Sequence, residues 1–98
     1  MNNEWHKQPG EVESIEVVFS ARMTTGETIA TQTVTAIETT HNTSATTAVI
    51  DSSAIVDTSV YIKVKDGTDG VDYKITVIVT TSGGNILEED ILMKVYDV

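Results

Sequence analysis

Two stretches of this chain place an apolar residue at every second position. Val60–Val64 does so over a short stretch, and Tyr73–Val79 continues the pattern over a longer one. Because successive side chains of a β-strand point to opposite faces, this period is typical of strands with one buried and one solvated face. Abundant threonine, valine and isoleucine strengthen that interpretation, since branched side chains favour strands over helices. The sequence therefore predicts an all-β protein.

A turn before the longer stretch indicates how the strands are arranged. Tyr73 follows Asp69 and Gly70 and lies two residues before Ile75, which stands where immunoglobulin domains have a cysteine. That is the spacing of a tyrosine corner, in which the hydroxyl bonds back to the chain just upstream. Asp69, Gly70 and Tyr73 are therefore candidate structural corner residues. We predict an antiparallel immunoglobulin-like β-sandwich of about seven strands.

The length of the chain, 98 residues, fits one domain. Residues 1–13 are polar and contain Pro9 followed by Gly10, so we expect a flexible N-terminal arm there rather than a strand. Residues 14–98 are expected to form the single immunoglobulin-like domain. The chain has no cysteine, which excludes disulfides, thiolate nucleophiles and zinc ribbons.

The alternation is blurred between residues 27 and 37. Either Ile29 and Ile37 face the core, or Ala30, Val34 and Ala36 do, and a bulge could switch the buried side partway.

The stretch from 39 to 53 has little periodicity. Local composition predicts a loop over 39–47, a short strand at Ala48–Ile50 and a turn at Asp51–Ser53.

The register of the last hairpin follows from which side chains must be buried. A two-residue turn would place acidic residues on the core face. A three-residue loop, Gly83–Asn85, instead pairs Ser82 with Ile86 and sets Val77 opposite Ile91. Asn85 can take the left-handed conformation that such a loop needs at its third residue.

The net charge of the chain limits the classes of molecule that it is expected to bind. The chain has 15 acidic against 6 basic residues and a net charge of -9. This balance argues against nucleic acid, whose binding proteins carry a basic patch, and against an anionic membrane surface. The polar N-terminus lacks an apolar signal region, and no apolar run is long enough to span a bilayer. We therefore expect synthesis in the cytoplasm.

No catalytic motif is present, so we expect no enzyme activity and no cofactor. His6 and His41 stand at no recognisable spacing from a serine and a carboxylate. Asp66, Asp69 and Asp72 could offer oxygen ligands to calcium, but their spacing matches no standard loop. Aspartate also favours turns by bonding its own backbone, and we favour that interpretation.

Four apolar residues are candidates for a contact surface. Trp5 lies in the polar arm, where it either anchors a partner or folds back over the edge of the sandwich. Val18, Ile78 and Leu92 are apolar at positions that the alternation assigns to outer faces, although they could also fill an edge position.

Several stretches of the chain resemble a family of small virion proteins of tailed bacteriophages and prophages, described as fiber–tail adaptor proteins. The likeness covers Lys7–Val12, Phe19–Ser20, Gly26–Thr31 and Gly67–Val95, and its most characteristic parts are Gly67–Tyr73 and Thr80–Gly84.

The resemblance implies a non-enzymatic structural protein that joins or decorates a tail, neck or fiber assembly of a virion. Its partners would be other virion or tail proteins, with a possible homo-oligomer, and it would reach the virion after synthesis in the bacterial cytoplasm. The alternative is an immunoglobulin-like module that binds carbohydrate or a cell surface. That class predicts tandem domains and clustered aromatic residues.

Overall fold

The computed structural model describes residues 4–97, which form an all-β protein as predicted. A short α-helix, α1 (Thr46–Val49), and a single 3-10 turn at Ser20–Arg22 interrupt the strands. The strands in chain order are β1 (Glu4–Lys7), β2 (Glu13–Val18), β3 (Ile29–Glu38), β4 (Thr43–Ser44), β5 (Ile50–Val56), β6 (Ser59–Val64), β7 (Val71–Thr81) and β8 (Ile86–Val95).

The strands form two sheets that enclose one apolar core. The larger sheet has the order β1-β8-β7-β3-β4, and the smaller has the order β2-β6-β5. Within both sheets the neighbours are antiparallel, except that β1 runs parallel to β8. The immunoglobulin-like arrangement stays a prediction. The buried apolar residues are Ile15, Val17, Phe19, Ile29, Ala36, Val49, Val60, Ile62, Val64, Tyr73, Ile75, Val77, Val79, Ile91, Met93 and Val95.

The last hairpin corrects the predicted register by two residues. Val77 lies opposite Glu89 rather than Ile91, and Thr80 rather than Ser82 pairs with Ile86. Gly84, with φ at 85°, takes the left-handed conformation that was predicted for Asn85. A glycine adopts that conformation without the steric cost of a Cβ, which favours the earlier placement of the loop. Because the shift is two residues, the buried and exposed faces are unchanged.

A bulge in β3 explains its blurred pattern. The pairing of β3 with β7 shifts between Ile29 and Thr31. Ile29 is therefore buried while Ala30 is exposed, and beyond the bulge Val34 and Ala36 face the core. The alternative with Ile29 facing the core is thus correct before the bulge, and the alternative with Val34 and Ala36 facing the core is correct after it.

The middle segment differs from its prediction. Thr46–Val49 is helical where a strand was expected from residue 48, and Ile50–Val56 is a strand where a turn was expected at 51–53. Most side chains of β5 are exposed, because β5 is an edge strand of the smaller sheet. An exposed edge strand leaves no alternation of buried and solvated residues for the sequence to reveal.

The expectation of an arm over 1–13 is wrong for Glu4–Lys7, which form β1 and pair with Leu92–Val95. The edge of β8 offers unpaired N–H and C=O groups, and a strand of only four residues can form hydrogen bonds with them. Because β1 has only four residues, it is too short to produce a clear period in the sequence. Residues 1–3 of the predicted arm lie outside the described residues, and the division at residue 13 stays a prediction.

Candidate functional site

A buried lysine fastens the N-terminal strand to the larger sheet. The Lys7 side chain is fully buried, and its Nζ donates hydrogen bonds to the backbone carbonyls of Gln8 at 2.7 Å, Pro9 at 3.3 Å and Asp66. Burial lowers the pKa of Lys7, and the negative charge of Asp66 opposes that effect. The ammonium thereby links β1 to the loop before β7.

The predicted corner residues lie beside this lysine. The hydroxyl of Tyr73 accepts a hydrogen bond from the backbone N–H of Thr68 at 2.9 Å, and the N–H of Gly70 donates to the carbonyl of Val95 at 2.7 Å. Gly67 has φ at 96°, and a Cβ there would lie 2.8 Å from a methyl carbon of Val95. A side chain at residue 67 would therefore push the end of β8 away.

A half-buried carboxylate holds the opposite end of the larger sheet. Glu27 accepts hydrogen bonds from the backbone N–H of Thr24 at 2.9 Å, the hydroxyl of Thr81, and the side-chain amide of Asn85 at 3.2 Å. The hydrogen bond from Thr81 is the main reason that the pKa of Glu27 is lowered. Glu27 thus joins the segment before β3 to the hairpin between β7 and β8.

The outer face of the larger sheet pairs its own polar groups. Thr76 donates to Asp90 at 2.8 Å across β7 and β8, and Lys74 lies 3.7 Å from the same carboxylate. Lys94 similarly lies 3.5 Å from Glu4 of β1. The register also places a set of threonines on this face, namely Thr31, Thr33, Thr35, Thr76 and Thr80.

The outer face of the smaller sheet is more apolar. Val18, Ser59 and Val56 form one row across β2, β6 and β5, and Tyr61 and Ala54 lie in the adjacent row. Val18 is 53% exposed, Val56 48% and Tyr61 38%. We call this set the Val18 patch: Val18, Val56, Tyr61 and Ala54.

One carboxylate lies within the Val18 patch. Glu16 pairs with Tyr61 across β2 and β6, and its carboxylate accepts a hydrogen bond from the hydroxyl of Ser59 at 2.9 Å. The charge of Glu16 and a hydrogen bond from the phenol to it raise the pKa of Tyr61, with a smaller contribution from Asp57. Negative charge therefore lies at one edge of the patch, on Glu16 of the edge strand β2, and on Asp57 near Tyr61.

Comparison with known protein families identifies the family to which this chain belongs. Residues 7–94 match the family described as podophage GP4 fiber-tail adaptor protein gp77. The chain belongs to this family. The resemblance drawn from the sequence is confirmed, and membership supports a structural role associated with the phage tail. No curated protein matches the chain.

Two pairs of stretches that carry the resemblance meet in the structure of this family member. Gly26–Thr31 meets Thr80–Gly84, where Ser82 and Thr28 bond each other in both directions at 2.7 and 3.0 Å. At the other end, Lys7 contacts the loop that leads into Tyr73. The stretches that resemble the family thus include residues whose hydrogen bonds hold the two ends of β7 in place.

The four predicted contact residues do not form one surface. Ile78 and Leu92 lie on the outer face of the larger sheet, whereas Val18 lies on that of the smaller sheet. Trp5 is half-buried and packs against the core. Its Nε1 is buried and has no hydrogen-bond partner within residues 4–97. The contact role of all four stays a prediction.

Sequence reasoning missed Val56 and Tyr61 as candidates for contact. Tyr61 was recognised only as a polar-side member of the alternation in β6. Val56 could not be assigned to a face because the sequence predicted a turn at Asp51–Ser53 and no strand between that turn and Val60. The pairing of β5 with β6 was the missing information.

The three aspartates that were candidate calcium ligands accept hydrogen bonds within the protein, two through their carboxylates and one through its backbone carbonyl. Asp69 accepts a hydrogen bond from the N–H of Asp97 at 2.9 Å, and Asp72 accepts one from the hydroxyl of Tyr96 at 3.0 Å. Asp66 offers its carbonyl to Lys7. Across residues 4–97, no three histidine, aspartate or glutamate side chains are grouped so as to hold a metal ion.

The two histidines lie apart and serve separate contacts. His6 stacks on the ring of Tyr96 with centroids 5.9 Å apart, and His41 lies 2.6 Å from Glu38. In the part of the chain that the structure describes, no helix has the length and apolar character needed to cross a membrane.

Proposed function

We propose that this protein is a non-enzymatic connector in the tail, neck or fiber assembly of a phage or prophage virion, which it joins through protein–protein contacts. The observation that carries the proposal is the family match over residues 7–94. It reaches the particle after synthesis in the bacterial cytoplasm, and its partners are other virion proteins.

The surfaces of the two sheets support a connecting role. The sandwich presents two outer faces of different chemistry, one largely threonine and paired charges, the other apolar. The apolar face is the candidate contact surface of the connector, whereas the charged side chains of the other face pair with each other. Symmetric repetition around a tail axis would bring several copies together, so self-association is part of the proposal.

Reconstitution of fiber attachment tests the proposal. Particles made without the gene are purified and mixed with purified fibers, with and without this protein. Fibers should sediment with the particles only when the protein is added. Attachment that does not depend on the protein would refute the connecting role. Binding to a glycan array without binding to particles would instead support the carbohydrate-binding alternative.

A further inference from the structure

We propose that the Val18 patch docks against a cationic, apolar surface of a neighbouring tail protein, with Glu16 receiving an arginine or lysine from that surface. This inference rests on the proposed connecting role, which it makes specific to one face and one partner chemistry. A contiguous apolar area on a sheet face, rather than scattered apolar residues, indicates an interaction surface.

The apolar part of the patch is continuous across all three strands. Val18 and Val56 flank Ser59 in one row, and Tyr61 lies next to Ala54 in the adjacent row. A tyrosine beside aliphatic side chains is a frequent centre of binding energy, since it offers a large contact area at low entropic cost. Three of the eight large apolar residues that are exposed within 4–97 lie on this outer face: Val18, Val56 and Tyr61.

The charge at the patch determines the chemistry of the partner. The Glu16 carboxylate accepts a hydrogen bond from Ser59 and lies opposite Tyr61, which holds it beside the patch. A carboxylate has about four acceptor sites, so the bond from Ser59 leaves capacity for a cation from outside. Asp57 adds negative charge near Tyr61. Lys63 lies on the same face, in the row beyond Glu16 and Tyr61 as counted from Val18. A partner complementary to this arrangement presents a cation among aliphatic side chains.

The outer face of the larger sheet does not offer the same opportunity. Its charged side chains pair with each other through Lys74 and Asp90, and through Lys94 and Glu4. A partner would have to break or compete with these pairs. The face nevertheless supplies matched controls, because Ile78 is 36% exposed and Glu88 lies opposite it.

Binding to particles that lack the protein tests the docking face. The full chain is labelled with a fluorophore, and its affinity for particles made without the gene is measured by sedimentation at several salt concentrations. Val56→Ser and Tyr61→Ser remove apolar contact, and Ile78→Ser is their control. Glu16→Gln removes the charge, and Glu88→Gln is its control. Melting curves establish that each variant is folded.

The expected results separate this inference from the proposed function. Val56→Ser and Tyr61→Ser should each weaken binding about tenfold, as central apolar contacts do. Glu16→Gln should weaken binding and reduce its dependence on salt, because an ion pair is lost. Ile78→Ser and Glu88→Gln should leave the affinity within about twofold.

Each of the following outcomes would overturn the inference. Equal losses in the patch variants and their controls, or losses in the controls alone, would reject this face while leaving the connecting role intact. A normal salt dependence in Glu16→Gln would reject the cationic partner. Self-association that disappears in Val56→Ser would make a second copy the occupant. If the unaltered chain does not bind the particles at all, the proposed function itself fails.

Discussion

The two sheets of this protein use their polar side chains in opposite ways. The larger sheet is fastened at its ends by Lys7 and Glu27, and the edge of β8 is covered by Arg22, which donates to the carbonyl of Glu88 at 2.8 Å. The smaller sheet, besides its buried core residues, exposes Val18, Val56 and Tyr61 on its outer face beside Glu16. On the proposal above, the smaller sheet makes the contact, whereas the larger sheet mainly stabilises the fold.

This difference predicts a separation of effects between stability and binding. Changes at the ends of the larger sheet should lower the free energy of unfolding, and changes in the Val18 patch should lower affinity instead. The following variants probe the first half of that comparison, beginning with the largest expected effect.

Deletion of residues 1–7 should have the greatest effect. It removes β1, the half-buried Trp5 and the buried Lys7, and it leaves the edge of β8 unpaired. We expect the free energy of unfolding to fall by about 3 kcal/mol or more, measured by chemical denaturation. An unchanged melting curve would restore the prediction of a flexible arm and would remove β1 from the comparison.

Substitution of Lys7 tests the buried ammonium alone. Lys7→Met keeps most of the aliphatic side chain but leaves the carbonyls of Gln8 and Asp66 without their donor. We expect a loss of about 1–3 kcal/mol in unfolding free energy. The exposed Lys74→Met is the control and should change stability by about 0.5 kcal/mol or less. Equal effects at the two positions would show that the buried contacts are not important.

The Tyr73 hydroxyl should have a smaller effect. Tyr73→Phe removes the acceptor of the Thr68 N–H and should cost about 1 kcal/mol, measured by the same denaturation. Tyr96→Phe, which removes an exposed hydrogen bond to Asp72, is the control and should leave the melting temperature unchanged. A neutral Tyr73→Phe would mean that the corner is held by the backbone alone.

Glu27 should have the smallest effect, and a dependence on pH identifies it. Its pKa in the folded protein lies below the ordinary value of 4.5, so its stabilisation is present above that value and is lost as the pH falls through the folded pKa. Glu27→Gln should therefore melt below the unaltered protein at neutral pH, and this difference should disappear in acid. Glu88→Gln corrects for the loss of one charge. A difference that persists at low pH would contradict the role of the carboxylate.

The sequence predicted those parts of the fold that depend on burial. The alternation in Val60–Val64 and Tyr73–Val79 correctly indicated strands, and the buried side of the last hairpin was also predicted correctly. Its register was not, because a shift of two residues preserves the faces and depends on the conformation of Gly84. Burial alone cannot distinguish such registers.

The parts that the sequence did not predict depend on contacts between distant residues. Lys7 is polar, and its burial depends on carbonyl acceptors that include the one of Asp66, 59 residues away. The Val18 patch arises because β6 brings β2 and β5 together, although β5 itself has no recognisable period. Tertiary pairing rather than local pattern creates both features.

Photocrosslinking within assembled particles tests most directly whether the smaller sheet makes the contact. A photoreactive phenylalanine analogue is introduced at Tyr61 in one phage and at Thr33, on the outer face of the larger sheet, in another. Irradiated particles are then examined by mass spectrometry. We expect the analogue at residue 61 to crosslink to a neighbouring tail or fiber protein, and the analogue at residue 33 to give little product. Crosslinks from residue 33 alone, with each variant present in its own particles at normal occupancy, would contradict the account.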